Sequence, residues 1–198
     1  MIRALFGGSF DPFHEGHLAV IDTLLDRGLC DHVHVVATFI SPTKNQPGAS
    51  ADDRLIMACA ALADHASVTV EDLEIRRGGT SWTVETLTEL SARWPADSWM
   101  LVLGADAAAE FHRWRDPVSI LEMARPIIFA RAGSDVASLL SSSDPIFVPD
   151  FKQSVSSTNL RMQLRSGERA GLPLPAPVLA HIIRHDLYRA PNSSSAGG

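Results

Sequence analysis

Residues 3–17, RALFGGSFDPFHEGH, decide the fold. A short apolar run (Ile2, Ala4, Leu5, Phe6) ends in Gly7-Gly8, and a turn follows through Ser9, Asp11 and Pro12. His14, Gly16 and His17 then lead into a periodic apolar segment, Leu18, Val20, Ile21, Leu24 and Leu25. The order is strand, tight glycine turn, helix start. Such a junction suits a phosphate, because glycine lets the backbone approach and the free N–H groups and dipole of a helix start favour an anion. His14 and His17 are three residues apart, which on a helical first turn puts them on one face. Two imidazoles there can donate hydrogen bonds to a phosphoryl group as charge builds on it. Read alone, the pair could equally be capping or surface histidines. Its spacing is not the i, i+4 pattern of a zinc helix.

At 198 residues the chain is long enough for one domain with a sizeable core. A net charge of −6 argues against non-specific binding to nucleic acid or a membrane surface, so any phosphate site has to be local. Cys30 and Cys59 sit in or beside helical patterns and read as reduced structural cysteines. The apolar runs are too short to span a bilayer, and glycines and Asp11 interrupt the N-terminus before it could form a secretory signal. These features lead to an expectation of a cytoplasmic protein.

Along the chain, strands are expected at about Ile2–Phe6, His32–Ala37, Val68–Glu71, Trp99–Leu103, Pro126–Ala130 and Ile146–Val148. Helices are expected at about Gly16–Arg27, from a cap at Asp52 or Asp53 to Ala63, and from a Ser81 cap to Trp94, with Glu85 near a capping-box position. Shorter or later helices are expected near Ala107–Phe111, Pro117–Met123, Ser156–Arg165 and Pro177–His185. Asp72–Gly79 reads as loop with a short strand at Leu73–Ile75, and residues 191–198 as a disordered tail after a domain spanning 1–190. Alternating strands and helices predict an α/β fold, a single-domain, doubly wound, Rossmann-like parallel sheet with right-handed crossovers. Ligands of such sheets bind beyond the carboxyl ends of the strands, at the switch point. Phe6-Gly7-Gly8, the loop after Ala37, Gly104-Ala105-Asp106 and Ala130-Arg131 should share that rim.

A second helix start repeats the anion-binding chemistry. Val155-Ser156-Ser157-Thr158-Asn159-Leu160-Arg161 offers amides and hydroxyls, with an arginine fork one turn in. The plain alternative is a serine N-cap with a surface arginine. His32 with His34, and His181 with His185, could each pair on a metal, but no third ligand stands at a telling spacing.

GGSFDPFHEGH resembles the GG(S/T)FDPxHxGH signature of nucleotidyltransferases, and most closely that of bacterial nicotinate mononucleotide adenylyltransferases. VSSTNLR is similar to the family's I-S-(S/T)-T-x-(I/L)-R motif, with Val155 in place of Ile. The resemblance runs from Leu5 to Arg189. It implies in-line attack of a mononucleotide phosphate on the α-phosphate of ATP, giving deamido-NAD and pyrophosphate with no covalent enzyme intermediate. His14, His17 and Arg161 would be the catalytic residues, and Gly7, Gly8 and Ser9 would line the phosphates. Ser157 and Thr158, with Arg161, would hold the β- and γ-phosphates. Lys44 would stand near substrate phosphates, in a loop less proline-rich than the family's. Asp106 would contact nucleotide, with a sugar hydroxyl as the expected partner, and Arg131 would lie beside the adenine.

Trp82 and Thr83 fall where the family often reads Ser-Tyr-Thr; the backbone there would meet the pyridine carboxylate, and Trp114 would stack on the ring. Mg²⁺ would be held mainly by the ATP phosphates, with no protein metal ligand evident. The partners would be the small molecules ATP and nicotinate mononucleotide, without nucleic acid or membrane, and a homo-oligomer is left open. Rival readings are a sister transferase using nicotinamide mononucleotide, phosphopantetheine or CTP, and a non-catalytic nucleotide-binding module. A metal-dependent hydrolase would need ligand clusters that the sequence does not offer.

Overall fold

The computed structural model describes residues 1–42, 47–129, 144–149, 151 and 155–189. Six strands within them form one parallel sheet: β1 (Ile2–Gly8), β2 (His32–Ala37), β3 (Val68–Glu71), β4 (Ser98–Gly104), β5 (Ala124–Phe129) and β6 (Ile146–Val148). Their order is β3-β2-β1-β4-β5-β6, so the winding reverses between β1 and β4. That reversal is the switch point, and it opens a crevice where ligands of this architecture bind. The register sets Gly7 beside Val36 and Gly8 beside Ala37, which brings the ends of β1 and β2 level at one rim.

The sheet is buried on both faces, and its side chains alternate between them as the period of a strand demands. Ala4, Val33, Val35, Val102 and Ile127 enter one cluster, with Ile21 and Leu24 of α1 (Glu15–Asp26), Met57 of α2 (Ala51–Ala61), Leu160 of α7 (Ser157–Arg165) and Ile182 of α8 (Ala176–Arg184). Leu5, Val36, Leu101, Leu103 and Ile128 enter the other. There they meet Leu73 of α3 (Leu73–Arg77), Leu87 and Leu90 of α4 (Thr83–Arg93), Ala108 of α5 (Ala105–Ala109) and Ile120 of α6 (Pro117–Met123). A 3₁₀ turn, Phe111–Arg113, joins the last two.

Several local expectations need correction. Gly7 and Gly8 are strand residues, because the parallel ladder with β2 continues two residues past Phe6. The span read as loop with a strand at Leu73–Ile75 is helix α3. Leu73 and Glu74 are buried there while Arg76 reaches back to Asp72 across one turn, at 3.1 Å. α2 is capped by Ser50, whose Oγ accepts from Asp53 N–H at 3.0 Å, rather than by Asp52 or Asp53. Ser81 does not cap α4: its Oγ accepts from Phe39 N–H at 2.9 Å and ties the chain after β2 to the start of α4. Glu85 makes no capping box and instead accepts from Arg115 at 2.8 Å. The expected tail at 191–198 and the strand end at Ala130-Arg131 lie outside the described residues.

Candidate active site

The turn after β1 is held open by contacts that no local signal announces. Phe10 adopts φ +48, and its ring lies where a Cβ on Gly8 would come within 3.0 Å, so Gly8 is needed for close approach. Asp11 is buried and its carboxylate gathers donors from distant segments: Gly48 N–H at 2.6 Å, Ala49 N–H at 3.0 Å and the Tyr188 hydroxyl at 2.6 Å. Beneath the turn, the guanidinium of Arg54 is 1% exposed and donates to Ser9 C=O at 2.7 Å and Phe39 C=O at 3.2 Å. One arginine thereby clamps the loops after β1 and β2, the two strands on one side of the switch point.

His14 is the N-cap of α1 rather than a helical residue, so the two histidines meet as cap and third residue. His14 N–H donates to His17 Nδ1 at 3.2 Å, which leaves the His17 ring proton on Nε2. The rings stack with centroids 3.7 Å apart. Phe10 and Phe13 wall the His17 ring at 4.9 and 5.1 Å. Burial lowers the pKa of His14 from 6.5 to about 4, so the imidazole is neutral near pH 7. Its Nδ1 is buried with no hydrogen-bond partner among the described residues. Not every amide at this helix start is open to a ligand, as the sequence implied: Glu15 N–H donates to Pro173 C=O at 3.1 Å and His17 N–H to His14 C=O at 2.8 Å.

The start of α7, the second helix start singled out in the sequence, docks directly on this turn. Arg161 Nη1 donates to Asp11 C=O at 2.7 Å and Nη2 to Thr158 Oγ1 at 3.2 Å. Ser157 Oγ points at Pro12 C=O, 3.4 Å away. The helix is capped by the backbone of Ser156 with no side-chain capping bond. His14, His17, Ser157, Thr158 and Arg161 therefore converge, with Ser9 fixed below them.

Those of the other expected residues that the structure describes lie around the same rim. Trp82 and Thr83 open α4, which Ser81 joins to the loop after β2 through Ile40 C=O, at 2.9 Å. Trp114 follows the 3₁₀ turn and packs on Phe111 at 5.2 Å. Its neighbour Arg115 lies over the Trp82 ring at 5.3 Å, so the two tryptophan segments flank one corner. Asp106 stands exposed in the first turn of α5, just past the end of β4, and Gly104 rather than Asp106 occupies the N-cap. Lys44 and Arg131 lie outside the described residues. Among the described residues, no group of three or more His, Cys, Asp or Glu could hold a metal ion, and no helix is long and apolar enough to cross a membrane.

Sequence reasoning missed Arg54, the gathering role of Asp11 and the contact from Tyr188. Arg54 had a signal: it shares the i, i+3, i+4 face of α2 with Met57 and Ala58, both buried. An arginine on an apolar face is a buried cation with a task.

Residues 5–163 match the model of a family described as cytidylyltransferase-like. A relative from Idiomarina loihiensis, called "Probable nicotinate-nucleotide adenylyltransferase", is 32% identical over 95% of this chain and 100% of its own length. A relative of the same name from Thermus thermophilus is 35% identical over 93% of this chain and 98% of its own. In structure, the chain is similar to a Plasmodium falciparum nicotinic acid mononucleotide adenylyltransferase complexed with NaAD. The TM-score is 0.79 at 19% identity, over 94% of this chain and 97% of that one, a likeness of fold.

Proposed function

Because the chain belongs to the cytidylyltransferase-like family, among its nicotinate-nucleotide adenylyltransferases, we propose that the residues gathered at the switch point carry out adenylyl transfer. The reaction joins the phosphate of nicotinate mononucleotide to the α-phosphate of ATP, giving deamido-NAD and releasing pyrophosphate. It serves NAD biosynthesis. An in-line displacement of this kind asks the protein for positioning and charge stabilisation rather than for a nucleophile.

The observation that carries the assignment is the bond from Arg161 to Asp11 C=O, which spans 150 residues and makes one cradle of two phosphate-binding helix starts. In that cradle His17 donates from Nε2, and His14 donates as a neutral imidazole to a phosphoryl oxygen as charge spreads onto it. Arg161, Ser157 and Thr158 hold the departing pyrophosphate, while Gly7, Gly8 and Ser9 let the triphosphate approach the backbone. Trp82, Thr83 and Trp114 take the pyridine ring and its carboxylate, and Asp106 takes a sugar hydroxyl. Lys44 and Arg131 enter the proposal on their motif positions alone.

Mg²⁺ belongs to the same proposal as a companion of ATP. A small hard cation that keeps its waters and takes phosphate oxygens needs no cluster of protein ligands. The ion would supply charge neutralisation on the phosphates. The proposal takes residues 1–190 as one nucleotidyltransferase domain working in the cytoplasm.

The test is pyrophosphate release with ATP and Mg²⁺, run in parallel with nicotinate mononucleotide, nicotinamide mononucleotide and phosphopantetheine. Preference for nicotinate mononucleotide is expected. Preference for another acceptor would overturn the substrate, and silence with all three from protein that still binds ATP would overturn the activity.

A further inference from the structure

Tyr188 lies 177 residues beyond Asp11 and well outside both phosphate motifs, yet its hydroxyl donates to Asp11 Oδ1 at 2.6 Å. The residue is 6% exposed. It is delivered by a chain that turns back sharply after α8, with Asp186 at φ +49 and Tyr188 at φ +63. A bulky residue in that region is strained, so the surrounding contacts must hold it there. The packing is close. A Cβ on Gly48 would lie 3.1 Å from the Tyr188 ring and 3.3 Å from Arg161 Cδ, so both side chains close on the loop backbone at Gly48.

The hydrogen bonds around Asp11 show what the hydroxyl achieves. Asp11 Oδ1 accepts from Tyr188 and from Ala49 N–H, and Oδ2 accepts from Gly48 N–H. Both lone pairs of Oδ1 are thereby engaged, so no bidentate pair can close; Arg161 Nη1 reaches only Oδ2, at 3.6 Å, and binds the Asp11 carbonyl at 2.7 Å. A carboxylate and a guanidinium this close would otherwise form a bidentate pair, which consumes the arginine's donors.

We propose that Tyr188 is a positioning residue for adenylyl transfer. By occupying Asp11, it keeps Arg161 from collapsing into a closed ion pair and leaves the guanidinium directed to the ATP phosphates. The inference rests on the reading of this cradle as the ATP site.

Tyr188→Phe removes the hydroxyl and keeps the ring. ATP affinity by calorimetry and the KM for ATP should each weaken about tenfold, the scale of one hydrogen bond involving a charged group. The KM for nicotinate mononucleotide should change less than about twofold. In an Asp11→Asn background, the same substitution should add less than about twofold, because the effect runs through Asp11. A lowered thermal midpoint with unchanged ATP affinity would mean a purely structural tyrosine and would overturn the proposal, as would full additivity in the double variant. Wild-type protein that binds ATP but releases no pyrophosphate would overturn the assigned reaction while the calorimetry still decides the role of Tyr188. Wild-type protein that does not bind ATP would overturn both.

Discussion

His14 and His17 stack face to face, their ring planes 15° from parallel and their centroids 3.7 Å apart. Two imidazolium ions in that arrangement would repel each other, and burial already opposes a charge on His14, lowering its pKa from 6.5 to about 4. The unfolded chain protonates His14 below about pH 6.5 and the folded chain does not until about pH 4. More protons on the unfolded state mean that stability rises with pH across this window. The His14 contribution is therefore complete above pH 6.5 and is lost as pH falls toward 4, by on the order of 3 kcal/mol. Urea unfolding at pH 7 and pH 4.5 should show a larger loss for wild type than for His14→Asn. Equal losses would mean that His14 is not held neutral.

His17 accepts from the His14 amide and is walled by Phe10 and Phe13, so its ring is fixed before any substrate arrives. Fixed donors are worth most in the transition state. His17→Ala should lower kcat about a hundredfold or more, while costing only about 1 kcal/mol of stability from the lost bond to the His14 amide. Turnover near that of wild type in the folded variant would remove His17 from the chemistry.

Arg54 gives a prediction about stability rather than rate. Its guanidinium is almost wholly buried and holds the carbonyls of Ser9 and Phe39. Arg54→Met keeps much of the volume but leaves both carbonyls without their donor and takes a positive charge from the neighbourhood of Asp11. The expected loss is about 3 kcal/mol in urea unfolding. Arg54→Lys, which cannot span both carbonyls in one fork, should recover only part of it. A loss below about 0.5 kcal/mol for Arg54→Met would show that the clamp contributes little.

That Arg54, the donors of Asp11 and Tyr188 escape the sequence follows from what periodicity can and cannot report. Strand and helix alternation, and the helix starts after the glycine turn and the serine run, are local patterns, legible from residues such as Leu5, Val35, Leu101 and Arg161. Leu73 and Ile75 alternate like a strand, but a run that short does not separate strand from helix; the buried Glu74 finds its donor in the Thr86 hydroxyl, at 2.5 Å from another helix. Ser81 looked like a cap because it precedes an apolar run, yet its partner is Phe39, 42 residues earlier. Asp11 has the same character. Its place in a turn was readable, but its three donors come from Gly48, Ala49 and Tyr188, and nothing local announces them.

Gly16 separates the demands of the helix from those of the site. It stands in the first turn of α1, where alanine would ordinarily gain up to about 1 kcal/mol of helix propensity. A Cβ there, however, would lie 3.0 Å from Cε1 and Nδ1 of the His14 ring and 3.3 Å from Val155 Cβ. Val155 crowds the same Cβ, so both the ring and the chain before α7 stand against it. The His14 ring has to give way, which disturbs its stack with His17. Gly16→Ala should therefore lower kcat about tenfold, the cost of a misplaced donor. Helicity should be unchanged and stability should move by less than about 1 kcal/mol, since the gain in propensity offsets the crowding. Circular dichroism, urea unfolding and pyrophosphate release on the same preparation check all three. Undiminished turnover in Gly16→Ala would mean that the His14 ring position is not what the glycine protects.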